Sequence, residues 1–97
     1  MKVVYSEEVE SFIKKLSGND SGRLARTKEF FENYGFQIGP KYIKKIRDNL
    51  WELRTGKIRL FLHIRENIAF GVHILYKKSQ KLPKKDIKLA VTRSESI

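Results

Sequence analysis

Between Leu50 and Lys77 the apolar pattern of the chain repeats every second residue, and this stretch decides what can be built around it. It predicts three strands, Leu50–Arg54, Lys57–Ile64 and Ile68–Lys77. A two-residue turn at Thr55-Gly56 and a three-residue turn at Arg65-Glu66-Asn67, with Asn67 left-handed, set the expected register. Trp51, Leu53, Ile58, Leu60, Leu62, Ile64, Ile68, Phe70, Val72, Ile74 and Tyr76 then share one face. A one-residue slip in either hairpin would mix apolar with polar side chains, which favours this arrangement. The apolar side is expected to receive the helices. The other side carries Glu52, Arg54, Arg59, Phe61, His63, Gly71, His73, Leu75 and Lys77, with Arg59 opposite His73.

The flanking segments read as helices. Lys2–Tyr5 is short and β-prone, an edge strand at most. Ser6 is placed to cap a first helix, with Glu7 and Glu8 in its first turn and a stripe of Val9, Phe12, Ile13 and Leu16. Gly18-Asn19 is expected to stop it. Asp20 or Ser21 then caps a second helix reaching Tyr34, with Leu24, Phe31 and Tyr34 facing inward and Gly35 ending it. So short a link predicts a helical hairpin. Residues 36–49 stay ambiguous between a break at Gly39-Pro40 and a basic stretch anchored by Tyr42, Ile43 and Ile46. Pro83 suits the first turn of a last helix carrying Ile87, Ala90 and Val91 on one side. The predicted class is α+β in one domain spanning residues 1–97. A helical hairpin packs on a twisted, mainly antiparallel sheet of three to four strands, followed by a C-terminal helix.

Charge narrows the partners. Lys and Arg number 21 against 11 Asp and Glu, a formal net charge of +10. Such an excess favours a polyanion, nucleic acid above all, or a strongly acidic protein. No segment joins a basic face to a strong apolar one, so a membrane surface fits less well. The sequence contains no cysteine, which removes disulfides, thiol nucleophiles and thiolate metal sites and suits a reducing cytoplasm. With only 2 histidines a protein-built zinc site is not expected, and no cofactor is implied. No signal peptide is visible at the N-terminus.

What remains for chemistry is a set of cations on a sheet face. RNA cleavage without a metal needs a proton acceptor for a 2′-hydroxyl, a proton donor for the leaving oxygen and positive charge around the phosphorane-like transition state. Arg59 is the candidate to stabilise the scissile phosphate and Arg54 to position it, because a guanidinium grips phosphate with two donors. A salt bridge to Glu52 is the other role open to Arg54. Lys77 and Lys78 are candidate proton carriers, since crowding by like charge favours a neutral amine. His73 is a second acid–base candidate and His63 a weaker one, although a histidine on a sheet is more often a hydrogen-bonded structural residue. Phe61 and Tyr76 can stack a base, although Tyr76 also suits the core. Lys57, Lys81, Lys84, Lys85 and Arg93, with the run Lys41–Lys45 and Arg47, read as phosphate-contact surfaces that add affinity without sequence choice.

The stretch Leu50–Arg93 resembles the HigB-type branch of the RelE/ParE toxins. The resemblance rests on Leu50-Trp51-Glu52-Leu53-Arg54, on Arg59 within Gly56-Lys57-Ile58-Arg59-Leu60, and on Val72-His73-Ile74-Leu75 running into Tyr76-Lys77-Lys78. Gln80-Lys81-Leu82-Pro83, Ala90 and Arg93 complete it, with Leu82 standing where that family commonly has a threonine helix cap. It implies a RelE-like fold, ribosome-dependent cleavage of mRNA, and inhibition by a HigA-type helix-turn-helix antitoxin. Two other readings use the same residues: a non-catalytic nucleic-acid-binding module, for which charge alone suffices, and a ParE-like gyrase poison on the same fold.

Overall fold

In the computed structural model, which describes all residues 1–97, the elements follow in the order β1 (Lys2–Tyr5), α1 (Glu7–Lys14), α2 (Gly18–Tyr34), β2 (Ile43–Arg47), β3 (Leu50–Thr55), β4 (Ile58–Arg65), β5 (Ile68–Tyr76) and α3 (Lys84–Glu95). A 3-10 turn at Gly35–Ile38 links α2 to β2. The sheet has five strands in the order β1-β5-β4-β3-β2, with β1 parallel to β5 and every other pair antiparallel. The α+β class holds, and two strands join the three that periodicity gives. One is the N-terminal edge. The other is β2, in the stretch whose pattern is ambiguous because its only buried residue is Ile43.

Local chemistry fixes the helix ends. The Ser6 side chain accepts a hydrogen bond from the Val9 amide and starts α1. Ser17 does the same for α2 by accepting from the Asp20 amide at 3.1 Å. Gly18 and Asn19 therefore open the second helix, where the sequence suggests a stop, because the nearest free hydroxyl lies before them. Both helices pack on the sheet, α1 against β1 and β5 and α2 against β1 and β3. Val9, Leu24 and Phe31 are their buried anchors. Tyr34, expected inside, is 58% exposed at the last turn of α2. Pro83 precedes α3, which starts with no side-chain cap; Leu82 packs against the apolar cluster beneath that helix instead.

Both hairpin turns differ from expectation, with different consequences. Thr55 pairs with Ile58, so the β3–β4 turn is Gly56-Lys57, with Gly56 in the left-handed region at φ 59°. Glycine at the first central position suits a two-residue hairpin turn. Thr55 stays in the strand, buried and hydrogen-bonded to the Thr27 hydroxyl at 3.0 Å. Leu53 then faces Leu60 where the pattern suggests Ile58. A two-residue shift leaves every side chain on its own face. The β4–β5 turn is Glu66-Asn67, and it is Glu66 that is left-handed, at φ 57°. A bulge follows: Leu62 pairs with Gly71 and Phe61 with His73, which leaves Val72 as the extra residue. Arg59 consequently faces Leu75, and His73 faces Phe61; the expected Arg59–His73 pairing does not form.

The bulge also distributes apolar residues between two cores. The larger core includes Leu53, Ile58, Leu60, Leu62, Ala69 and Ile74 and lies under α1 and α2. The smaller one, Leu50, Phe61, Val72, Leu75 and Ala90, lies on the opposite face under α3. The sheet is thus covered on both faces. β1 approaches β5 closely at Gly71, where an added Cβ would lie 2.9 Å from Cδ1 of Tyr5 and 3.5 Å from the Val4 carbonyl oxygen. Gly71→Ala should therefore push β1 off the sheet and cost about 1–3 kcal/mol in urea unfolding. Unchanged stability would show that this approach does not constrain the fold.

Candidate nucleic-acid site

α3 does not cover its whole side of the sheet. Its buried contacts are Ala90 and Ser94, over Phe61 and His63, and the end near the β3–β4 turn is left open. There Lys57, Arg59, Lys77, Lys78, Ser79 and Gln80 line a concavity of about 360 Å³ with no apolar or acidic residue in its wall. The Lys77 amide donates to the Lys57 carbonyl at 2.6 Å, so the ladder runs one residue past β5 and holds the lysine pair beside Arg59. Four cations converging without a counter-charge in the wall give a local positive field, the kind that attracts anionic groups.

Beneath this wall sits the carboxylate that makes it tenable. Glu52 is 1% exposed, on β3, and accepts a hydrogen bond through Oε1 from Nε of Arg54 at 2.8 Å. Its Oε2 lies 3.7 Å from Nε of Arg59, and neither of these two buried atoms has a hydrogen-bond partner. Arg54 and Arg59 are direct cross-strand partners. Like charges so placed repel, and one buried carboxylate between them offsets that repulsion. Arg59 is further fixed by donating from Nη1 to the carbonyls of Gly56 at 2.7 Å and Ile58 at 3.0 Å. Arg54 takes the salt-bridge role that its spacing from Glu52 allows, while Arg59 reaches the open concavity. Glu52 was legible only as the middle of Leu50-Trp51-Glu52-Leu53-Arg54: alternation puts it on the arginine face, and nothing in the sequence says that it is buried.

The remaining candidates separate from this centre. His73 does not line the concavity; its Nε2 lies 2.8 Å from Oδ1 of Asp86 and its Nδ1 3.2 Å from Nη1 of Arg93. Arg93 also donates to the Val72 carbonyl at 3.0 Å, closing the bulge, so it serves α3 and the sheet where the sequence suggested an RNA contact. Phe61 is fully buried, stacked on His73 at 5.9 Å, and cannot receive a base. His63 is 6% exposed, with Nδ1 2.7 Å from the Ser94 hydroxyl, which excludes it as an open RNA contact. Both histidines of the chain therefore bind α3 to the sheet. Tyr76 is 40% exposed but pairs with Ile58, on the face away from Arg59. Lys81 and Lys85 are exposed. Lys84 joins Arg47 and Lys88 along a separate groove between α3 and the sheet edge. No group of acidic, histidine and cysteine side chains is arranged to hold a metal, and no helix is long and apolar enough to cross a membrane.

Two stability measurements check this arrangement. Glu52→Ala leaves two guanidiniums on the sheet without their buried counter-charge and should cost about 3–5 kcal/mol in urea unfolding. A loss below ~1 kcal/mol would contradict the anchoring role. Burial first, then the nearby Arg65 charge, lowers the His63 pKa below its ordinary 6.5. The folded state thus prefers neutral His63, so its contribution is complete above pH ~6.5 and is lost as pH falls through the lowered value. Stability measured from pH 7.5 to 5 should fall more in the parent chain than in His63→Asn; parallel profiles would refute this.

No curated protein matches the chain. A protein-family model described as phage-derived protein Gp49-like (DUF891) matches residues 11–95. That span takes in the whole Glu52, Arg54, Arg59 and Lys77-Lys78 constellation and the helix that flanks it. The chain belongs to the Gp49-like family, a RelE-like toxin family of toxin–antitoxin systems.

Proposed function

We propose that this chain is the HigB-type toxin of a type II toxin–antitoxin system, a ribosome-dependent, metal-free endoribonuclease that cuts mRNA and halts translation. The observation that carries the reading is Arg59: it stands in a concavity walled by Lys57, Lys77 and Lys78, its guanidinium fixed by two carbonyls and partly neutralised from below by Glu52. Fixed donors need no reorganisation as charge develops on a phosphate, which is how such groups lower a barrier.

In the proposed reaction the scissile phosphate rests against Arg59 and Lys57. Lys77 or Lys78 takes the proton from the 2′-hydroxyl, and the 2′-oxygen bonds to phosphorus. The bond from phosphorus to the 5′-oxygen breaks, and a lysine ammonium returns a proton to that oxygen. The products are a 2′,3′-cyclic phosphate and a 5′-hydroxyl, with no oxidant or metal required. Arg54 acts by holding Glu52 and, through it, the aim of Arg59. His73, displaced from Arg59 by the bulge, has no part in these steps. Lys81, Lys84, Lys85 and Lys88 supply salt-dependent contacts to mRNA or ribosomal RNA. A HigA-type helix-turn-helix antitoxin is the proposed neutralising partner, and the cytoplasm the proposed compartment.

The test is a cell-free bacterial translation reaction in which mRNA 5′ ends are mapped by primer extension, with parent chain and Arg59→Ala in parallel. New ends within translated codons, absent without ribosomes and reduced about 10²–10³-fold in the variant, are expected. Intact message with translation unaffected overturns the nuclease reading and leaves plain nucleic-acid binding or a gyrase target.

A further inference from the structure

The two edges of the sheet are treated differently. At the β1 edge, the Val3 amide donates to Oε2 of Glu32 at 2.9 Å and the terminal amine of Met1 to the Glu32 carbonyl at 3.2 Å, so α2 covers that edge. The β2 edge has no such cover. The Arg54 amide donates to the Tyr42 carbonyl at 2.7 Å, and the pairs continue as Ile43–Leu53, Lys44–Glu52 and Lys45–Trp51. By the alternation of an antiparallel ladder, the Ile43 carbonyl and both backbone groups of Lys45 face away from the sheet. An exposed lysine-rich edge discourages pairing between identical chains, since like charges would meet. The same charges select a partner of opposite sign.

The two faces beside this edge differ in chemistry. On the α3 side lie Lys44, paired with Glu52, and Arg47, which the irregularity after Lys45 pairs with Leu50; both are exposed. On the α2 side, Lys45 stands over Trp51 at 6.0 Å, and Phe36 rests on Trp51 with ring centroids 4.5 Å apart. Phe30, Tyr34 and Phe36 continue this surface at 39%, 58% and 44% exposure. These rings meet edge to face: Phe30 with Tyr34 at 64° and with Tyr42 at 87°. Lys41 lies over Tyr42 and Lys45 over Trp51. Ring faces occupied by neighbouring edges and ammonium groups make a poor platform for stacked bases, whereas an unpaired strand edge is matched group for group by another extended backbone.

We propose that the β2 edge is a docking site for an acidic, extended polypeptide segment, which adds to the sheet as a sixth strand. Its alternate residues place carboxylates against Lys44 and Arg47 and aliphatic side chains against the Phe36–Trp51 surface. This stands on the edge itself, whether or not the chain cleaves RNA.

The experiment follows backbone amide exchange of the full chain by NMR, with three probes. The first is a nine-residue peptide alternating valine and glutamate. The second has the same composition with all glutamates in one block. The third is a twelve-nucleotide oligouridylate. The alternating peptide should slow exchange of the Lys45 amide at least about tenfold and shift Trp51 resonances. The blocked peptide, equal in charge but unable to present two faces, should do neither. Lys44→Glu combined with Arg47→Glu should weaken the alternating peptide at least about tenfold, with an unchanged circular dichroism spectrum. Equal protection by both peptides, no protection at Lys45, or protection there by the oligouridylate overturns the proposal, and none of these outcomes bears on the cleavage assay.

Discussion

A carboxylate buried in the middle of a sheet is costly unless its charge is answered, and here Glu52 is answered by Arg54 on its own strand and Arg59 on the next. The cost and the benefit are mutual. Without Glu52, Arg54 and Arg59 would be directly paired like charges over an apolar layer. Without the arginines, Glu52 would not sit at 1% exposure. The cluster is what allows a strongly basic chain to place a guanidinium on the sheet and still fold. It leaves an imbalance, because Oε2 of Glu52 and Nε of Arg59 face each other at 3.7 Å without a completed hydrogen bond. Arg54 completes its bond to Glu52, Arg59 is held by two backbone carbonyls instead, and Arg59 is the one that borders the open concavity.

The second determinant is the extra residue in β5. Val72 carries the strand across a change of face, so Ala69 and Gly71 join the core under α1 and α2, while Leu75 and His73 come to lie under α3. α3 is then fastened at both ends by imidazoles, His73 to Asp86 and His63 to Ser94. Its packing on Phe61 and Leu50 closes one end of that face and leaves the cationic end free. Packing thus leaves one uncovered cationic concavity on this face of a molecule whose net charge is +10.

Much of this is legible in the sequence, for reasons that can be named. The two-fold period of β3 and β4 survives a wrong turn position, because a shift of two residues leaves faces intact; Glu52, Arg54 and Arg59 therefore still share one face. Ser6 announces α1 because a cap is a local interaction. The bulge is not local: it depends on how β5 meets β1 and α3 together. So the expected partnership of Arg59 with His73 fails with it, while the roles built on Phe61 and His63 fail because α3 packs over that face. The burial of Glu52 is invisible for a similar reason, since it depends on what the neighbouring strands bring to that charge. β2 escapes notice because an edge strand with Lys44, Lys45 and Arg47 outward has too few apolar residues to show a period.

The central claim is that RNA phosphate meets the chain at Arg59. The most direct measurement titrates the chain with a short mRNA-like oligonucleotide, made uncleavable by 2′-deoxy substitution, and follows the arginine Nε–H resonances by NMR. The account predicts a large shift at Arg59, whose guanidinium meets the phosphate, a small one at Arg54, and none at Arg93. A titration that moves Arg47 and the amides of α3 around Lys84 and Lys88 while leaving Arg59 unchanged would contradict it, and would place RNA on the outer groove of α3.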